Sequence, residues 1–323
     1  MTRMNWQGRR MTQGRGLAVA ATIAAFGVLT STATPTATAG LLVYEPFSYG
    51  ASNITDLNGV TATGTGLSGN YGGTANVVRY EAAGLTYGLL ATTGGTAYAD
   101  ASGEVRASLA SAVTSAIIPT NGQTKTTWMS FLAKRASNSN TTDLQGIALD
   151  RSSTGNQMNS VRFNSAGTTI NTRVGSQSNS ATLSDSIDNS ETVLVLAKLV
   201  LSLSGSNQTA TITGYTFYNG TIPTSESALT GLVTSTQVST SDRFPSFMSI
   251  ISNFGDYRFD EVRVGLDDAG DSDFGGVLAL VPEPSSLLLA GAGLLLLAGR
   301  GLGRHAAIRS SGRMEVLQSI CSV

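Results

Sequence analysis

Histidine and cysteine are almost missing from this chain of 323 residues: His305 and Cys321 are the only ones, and both lie near its end. The long stretch 40–281 has neither, so it holds no disulfide and no imidazole. That excludes Ser-His-Asp and Cys-His nucleophilic chemistry there, and zinc sites built from His and Cys. Stability must then come from a large core and not from covalent staples. Charge is scarce as well, with Asp, Glu, Lys and Arg making up 13% of residues and a net charge of −1. Helical periodicity sustained over a dozen residues is absent between the two ends. What the chain has instead is 37 Gly and a polar complement rich in Thr, Ser and Asn, residues suited to turns and to the outward faces of strands. With 41% hydrophobic residues there is enough apolar material for a core.

The small net charge conceals an asymmetry. Residues 1–39 carry Arg3, Arg9, Arg10 and Arg15 and no acid. Residues 282–323 carry Arg300, Arg304, Arg309 and Arg313 against Glu283 and Glu315, which leaves the middle at −7. An acidic middle has no electrostatic footprint for nucleic acid, and none is expected as a partner. Basic residues beside apolar runs are the pattern of membrane insertion.

At the N-terminal end the arginines precede an apolar run, residues 17–29, and then Thr36-Ala37-Thr38-Ala39-Gly40. A positive region, an apolar region and small residues at Ala37 and Ala39 predict a secretory signal peptide over 1–39, cut after Ala39. Signal peptidase and the Sec machinery are the expected partners. At the other end Pro282-Glu283-Pro284 precedes the apolar residues 287–298, followed by Arg300 and Arg304. As a helix this run spans roughly 18–20 Å at 1.5 Å per residue, against about 30 Å for a bilayer core. Arg300 and Arg304 would keep its far end in the cytoplasm, with the domain outside. Two prolines hold the chain extended before the helix, with one carboxylate between them.

Pro282-Glu283-Pro284, the apolar run and the Arg300/Arg304 cluster resemble the PEP-CTERM sorting signal of Gram-negative bacteria that export polysaccharide. The resemblance implies processing by a membrane-embedded exosortase near the motif. It also implies transient insertion of a C-terminal transmembrane helix in the inner membrane, and a final place on the cell surface or in the extracellular matrix. Residues 305–323 continue past the arginines as a tail of unassigned role.

Between the ends, short β-rich runs alternate with Gly, Asn and Ser clusters, which predicts one all-β domain over 40–266. Residues 192–201 are apolar on both faces and predict a central strand. Residues 209–218 are expected to pair with it through the turn at Ser204-Gly205-Ser206-Asn207. Residues 126–133 place Thr127, Met129, Phe131 and Ala133 on one face. Segments 144–150, 160–164, 168–174, 248–252 and 257–265 are further expected strands, and 103–117 is expected to hold a turn or two of helix. The opening at 41–47, the stretch Leu85-Thr86-Tyr87-Gly88-Leu89, the hairpin from Thr192 and the closing 257–265 resemble strands of the concanavalin A-like, laminin-G-like jelly rolls. That resemblance implies an antiparallel β-sandwich with its first and last strands side by side.

No catalytic residue is expected. Jelly-roll glycanases need a Glu-x-Asp-x-x-Glu spacing that is absent, and Asp260-Glu261 are adjacent, so regular strand alternation would turn them to opposite faces. Asp260 is expected to fix a turn or to pair with Arg258 or Arg263. The acidic stretch at Asp267, Asp268, Asp271 and Asp273 reads as a solvated linker over 267–281, since it lacks EF-hand spacing. Asp100, Asp256 and Asp260 are the calcium alternative, which nothing in their spacing favours, and no metal or cofactor is assigned. Trp128, Tyr215, Phe217 and Tyr218 read as core aromatics, with a sugar-stacking platform as the alternative. The leading expectation is a non-enzymatic exported surface or matrix protein; the alternative is a carbohydrate-binding module for exopolysaccharide, with or without calcium. The intact mass of protein recovered from the producing cell's surface checks the ends. A mature species starting at Gly40 and ending near Pro282 is expected, and a full-length species would contradict it.

Overall fold

The computed structural model describes residues 40–278, apart from 91, 137–142, 152–158, 230–232, 240–243, 254–255 and 268–272. The predicted signal peptide and the sorting tail, with Ala37, Ala39, Pro282, Glu283, Pro284, Arg300 and Arg304, lie outside the described residues. Among those described, no helix is long and apolar enough to cross a membrane.

The described residues form an antiparallel two-sheet sandwich. In chain order the strands are β1 (Leu41–Glu45), β2 (Leu67–Gly73), β3 (Val78–Glu81), β4 (Thr96–Ala99) and β5 (Gly103–Leu109). A short helix, α1 (Ser111–Ile117), comes next, and then β6 (Thr124–Arg135), β7 (Leu144–Asp150), β8 (Asn159–Asn164), β9 (Thr169–Val174) and β10 (Gln177–Thr182). The last are β11 (Val193–Ser204), β12 (Asn207–Phe217), β13 (Val233–Ser239), β14 (Phe247–Ser252) and β15 (Tyr257–Leu266). The first sheet runs β13-β12-β11-β6-β15-β4-β3, and β1 lies beside the second half of β15. The second runs β10-β9-β8-β7-β14-β5-β2. First and last strands are thus neighbours, as expected.

Strand alternation accounts for the core. Met129, Phe131 and Ala133 of β6 point inward with Val193, Val195, Ala197, Leu199 and Leu201 of β11. They meet Ile147 and Leu149 of β7, Val161 and Phe163 of β8, and Met248 and Ile250 of β14 from the other sheet. β11 is apolar on its second face too, because Leu194 and Leu196 lie under loops that form two smaller apolar clusters. Its hairpin with β12 closes at Ser204 opposite Asn207, and Gly205 at φ 60° supplies the positive φ that a two-residue turn of this hand requires.

Both pairs of sheet edges are covered. Residues 54–62 bridge one side: Ile54 and Tyr80 exchange backbone hydrogen bonds of 3.0 and 2.9 Å, while Tyr71 donates to Val60 at 2.8 Å and receives from Gly59 at 2.7 Å. A single loop thereby occupies the free edge of β3 and that of β2, which would otherwise template pairing with another chain. On the other side Ser235 of β13 reaches across to β9 and β10, bonding the Thr172 carbonyl at 2.8 Å and accepting from the Asn179 amide at 3.0 Å.

One expected strand is corrected. Leu85-Thr86-Tyr87-Gly88-Leu89 is no strand but a tight turn closed by Tyr87 and Leu90. Its backbone turns over at Gly88, φ 52°, where a Cβ would stand 2.6 Å from the Gly220 carbonyl oxygen. The turn or two of helix expected within 103–117 is α1, and the preceding residues form β5 between β14 and β2. Truncation of Phe131, fully buried and edge-on to Phe259 at 6.0 Å, is expected to cost about 3–5 kcal/mol. Urea unfolding of Phe131→Ala against the parent measures it.

Candidate functional site

β15 carries three buried charged residues of the first sheet, Asp260, Glu261 and Arg263. Between Asp260, opposite Leu132, and Arg263, opposite Ser130, it gains one residue on β6. This bulge puts Glu261 at φ 52°, and a bulge re-aims the side chain it carries. The expected opposite facing of Asp260 and Glu261 therefore fails, because alternation holds only along a regular strand. Asp260 accepts from the Leu85 amide at 2.8 Å and the Glu261 amide at 2.7 Å. Glu261 accepts from the Thr93 amide at 2.6 Å, from the Tyr44 hydroxyl at 3.2 Å and from Arg263 at 2.8 Å. Both carboxylates are fully enclosed, so they clamp the segment 85–93 onto β15 and are not available to a substrate. Arg258 pairs with Glu81 at 2.6 Å and not with Asp260.

Burial pushes the Asp260 carboxyl up to about 8, against the backbone donors and Arg263 that favour its charged form. Burial also raises the carboxyl of Glu45, which accepts from the Phe47 amide at 2.7 Å and the Gly64 amide at 3.2 Å. A carboxyl raised above its unfolded value of about 4 stabilises the fold fully below that pH. The contribution fades as pH climbs toward the folded value, at up to about 1.4 kcal/mol per pH unit for one group. The protein is accordingly expected to be less stable at pH 8 than at pH 5. Asp260→Asn should flatten that slope and leave the share due to Glu45, as read from urea midpoints at the two pH values.

Of the other residues singled out in the sequence, Asp100 bonds Arg79 at 3.0 Å, and Asp256 accepts from the Tyr98 hydroxyl at 2.9 Å. Asp260 is not with them, and among the described residues no group of three or more His, Cys, Asp or Glu gathers as a metal site. Trp128 is fully buried, edge-on to Phe274 at 5.1 Å and beside Tyr215 at 6.3 Å, so no open aromatic platform exists there. Phe274 and Val277 belong to the stretch expected to be a solvated linker. They are instead buried against β6 and β11, with Asp273–Gly276 forming a 3₁₀ turn.

The second sheet holds what the sequence did not reveal. On its outer face, where β2, β5 and β14 run side by side, lies a groove of about 520 Å³ lined by Asn70, Gly72, Gly73, Thr74, Arg106, Ser108 and Phe247. Register places these together: Ser108 stands opposite Phe247, and Arg106 opposite both Gly72 and Ser249. A bulge in β2 between Ser68 and Gly72 opens the trough. At Gly73, φ 141°, a Cβ would meet the Glu104 carbonyl oxygen at 2.1 Å, so only glycine lets β2 lie this close to β5. At Gly72 a Cβ would meet nothing within 4 Å, which marks the mouth. Arg106 is held by Glu104, 3.6 Å away, and is the one charged side chain in the lining. The groove offers a guanidinium, an amide and two hydroxyls around one aromatic ring, with no carboxylate, imidazole or thiol in its lining. Such a surface can hold a polyhydroxylated chain, and its lining has no group to act as general acid or base.

Fold and groove together make an all-β sandwich with an open groove beside a sheet edge. No family model and no curated protein sequence matches the chain. Solved structures similar to it include the binding domain of botulinum neurotoxin DC in complex with SialylT, at 11% identity and a TM-score of 0.35, over 66% of this chain and 48% of that one. A protein of unknown function from Shewanella oneidensis is 11% identical with a TM-score of 0.30, over 61% and 86%. The metal-free lectin I-B4 of Griffonia simplicifolia is 13% identical with a TM-score of 0.28, over 61% and 92%. This chain spans about half the length of the neurotoxin chain. Likeness of this degree transfers no property of those proteins to this chain.

Proposed function

We propose that this is a non-enzymatic exported surface protein whose sandwich holds an extended polysaccharide chain in the groove between β2, β5 and β14. The observation that carries the reading is the lining of that groove. Phe247 offers an apolar face to a sugar ring, and Arg106, Asn70, Thr74 and Ser108 surround it with donors and acceptors for hydroxyls. Rings of this kind bring large contact area at small entropic cost. Arg106 adds a preference for sugars that carry a carboxylate.

Export through the Ala37/Ala39 signal, and exosortase sorting at Pro282-Glu283-Pro284 with Arg300 and Arg304 on the cytoplasmic side, would deliver the sandwich to the secreted polysaccharide of its own cell. Sequence supports that route: the two targeting segments flank a domain with no histidine or cysteine. The jelly-roll, concanavalin A-like assignment agrees with the sheet order and with β1 lying beside β15. Enzymatic use of the carboxylates is disfavoured by their enclosure in backbone hydrogen bonds.

Gly72→Leu fills the mouth where there is open space, and Phe247→Ala removes the ring. Each is expected to weaken retention of the purified protein on immobilised exopolysaccharide from the producing cell by about tenfold or more, equivalent to ~1.4 kcal/mol. Chelator should leave retention unchanged, because no carboxylate lines the groove. Equal retention of parent and both variants would overturn the reading.

A further inference from the structure

The chain contains three Asn-Gly pairs, Asn58-Gly59, Asn121-Gly122 and Asn219-Gly220. Such a pair can react with itself, because glycine has no Cβ to keep its backbone nitrogen away from the asparagine carboxamide. The attack requires a glycine N–H that is not already engaged. Gly59 donates its N–H to the Tyr71 carbonyl at 2.7 Å, and Gly122 donates to the Leu203 carbonyl at 2.7 Å. Asn121 is held further, since its Oδ1 accepts from the Gly205 amide at 2.8 Å. Among the described residues the Gly220 N–H makes no hydrogen bond. The fold therefore separates three pairs that the sequence makes alike.

Asn219 and Gly220 are the central residues of a tight turn, at φ 56° and 72°, closed by the Thr221 amide on the Tyr218 carbonyl at 3.0 Å. Positive φ at both positions is the mark of a type I′ turn, and Asn219 at its tip is exposed. Two neighbours make this turn sensitive to change. The Asn219 backbone amide donates to the Glu191 carboxylate at 2.7 Å. Gly220 lies against Gly88 so closely that a Cβ on Gly88 would stand 2.6 Å from the Gly220 carbonyl oxygen. The Tyr87 hydroxyl adds a bond to the Thr221 carbonyl at 2.8 Å. Residues 218–221 are thus locked onto the segment 85–90, whose Leu85, Tyr87 and Leu90 cover Leu132 and Leu194.

We propose that Asn219 is a site of spontaneous deamidation, and that its product loosens the segment 85–90 from the first sheet. The Gly220 nitrogen attacks the Asn219 side-chain carbonyl carbon and forms a new C–N bond. The side-chain amide leaves as ammonia, carrying off the Gly220 proton, and a five-membered succinimide remains. Water then opens either carbonyl of that ring, giving an aspartyl or an isoaspartyl residue. The two reacting groups belong to adjacent residues, so ring closure is intramolecular and water is the only co-reactant. Either product puts a carboxylate beside Glu191, a like-charge contact. The isoaspartyl form also adds a methylene to the backbone of a turn that has no room at Gly88. This chemistry does not depend on what the groove of the second sheet holds.

The test ages purified full-length protein in mild detergent and mildly alkaline buffer, with peptides mapped by mass spectrometry over time. Deamidation at Asn219 is expected to run about tenfold or more ahead of Asn58 and Asn121, whose glycine amides must first leave a hydrogen bond. In concentrated urea that protection is gone, and the three pairs should react at similar rates. Equal rates at the three pairs in the folded protein would refute the site. The Asn219-modified species carries an added negative charge and is separated by anion exchange. Its urea midpoint is expected to fall below that of unaged protein, and proteases should cut it faster within 85–90. Asn219→Gly keeps the left-handed turn and has no carboxamide to lose, so its midpoint should hold through the same ageing. A modified species with the unaged midpoint and unchanged cutting within 85–90 would refute the loosening.

Discussion

The architecture depends on how β15 is held. Its first half lies between β6 and β4 and its second half between β6 and β1, so one strand joins three others. Its inward side chains, Phe259, Val262 and Val264, are core. The change of neighbour happens at the bulge, where the ladder to β6 skips and where Asp260 and Glu261 take up backbone amides from 85 and 93. Enclosing two carboxylates is expensive unless every oxygen is occupied. Here backbone donors, the Tyr44 hydroxyl and Arg263 fill that requirement. The loop layer over the first sheet is thus fixed by the same residues that bend its central strand.

That clamp decides what each sheet can offer to a partner. The first sheet spends its outer face on its own loops: Leu85, Tyr87 and Leu90 cover Leu132 and Leu194, while Phe274 and Val277 cover Trp128 and Leu196. Those strands need apolar residues on both faces, and β11 has them. On the second sheet the groove beside β2, β5 and β14 is lined by Ser108, Arg106, Asn70 and Phe247, while Ser249, Ile251 and Glu104 further along the same face are buried. An edge strand with glycines and a bulge narrows one wall of a trough without exposing a long pairing edge, because residues 54–62 already occupy it.

The sequence is most legible where burial is two-sided or alternation strict. The central strands β6, β11 and β15 and the β11–β12 hairpin can be read from pattern and turn chemistry; the adjacency of first and last strands is what the jelly-roll resemblance implies. The edges are not legible. β10 is Gln-Ser-Asn-Ser-Ala-Thr and largely solvated, and β2 is half glycine and serine, so neither shows an apolar period to detect. The pattern misleads at Leu85 to Leu89, where alternation is real but serves a turn that drops Leu85 and Tyr87 onto the sheet. It misleads again at Asp260-Glu261, because the rule for regular strands does not hold at a bulge. One signal is present there: two acids inside an apolar strand cannot both be solvated, so local irregularity is foreseeable. The groove has no such signal, because its lining comes from three distant segments that only register brings together.

The acidic stretch after β15 gives the last connection between sequence and layer. Its aspartates read as a spacer, yet the strap beyond them carries Phe274 and Val277, two apolar side chains with nowhere to go but the sheet they have just left. Ser130 on β6 receives the returning chain through the Val277 carbonyl.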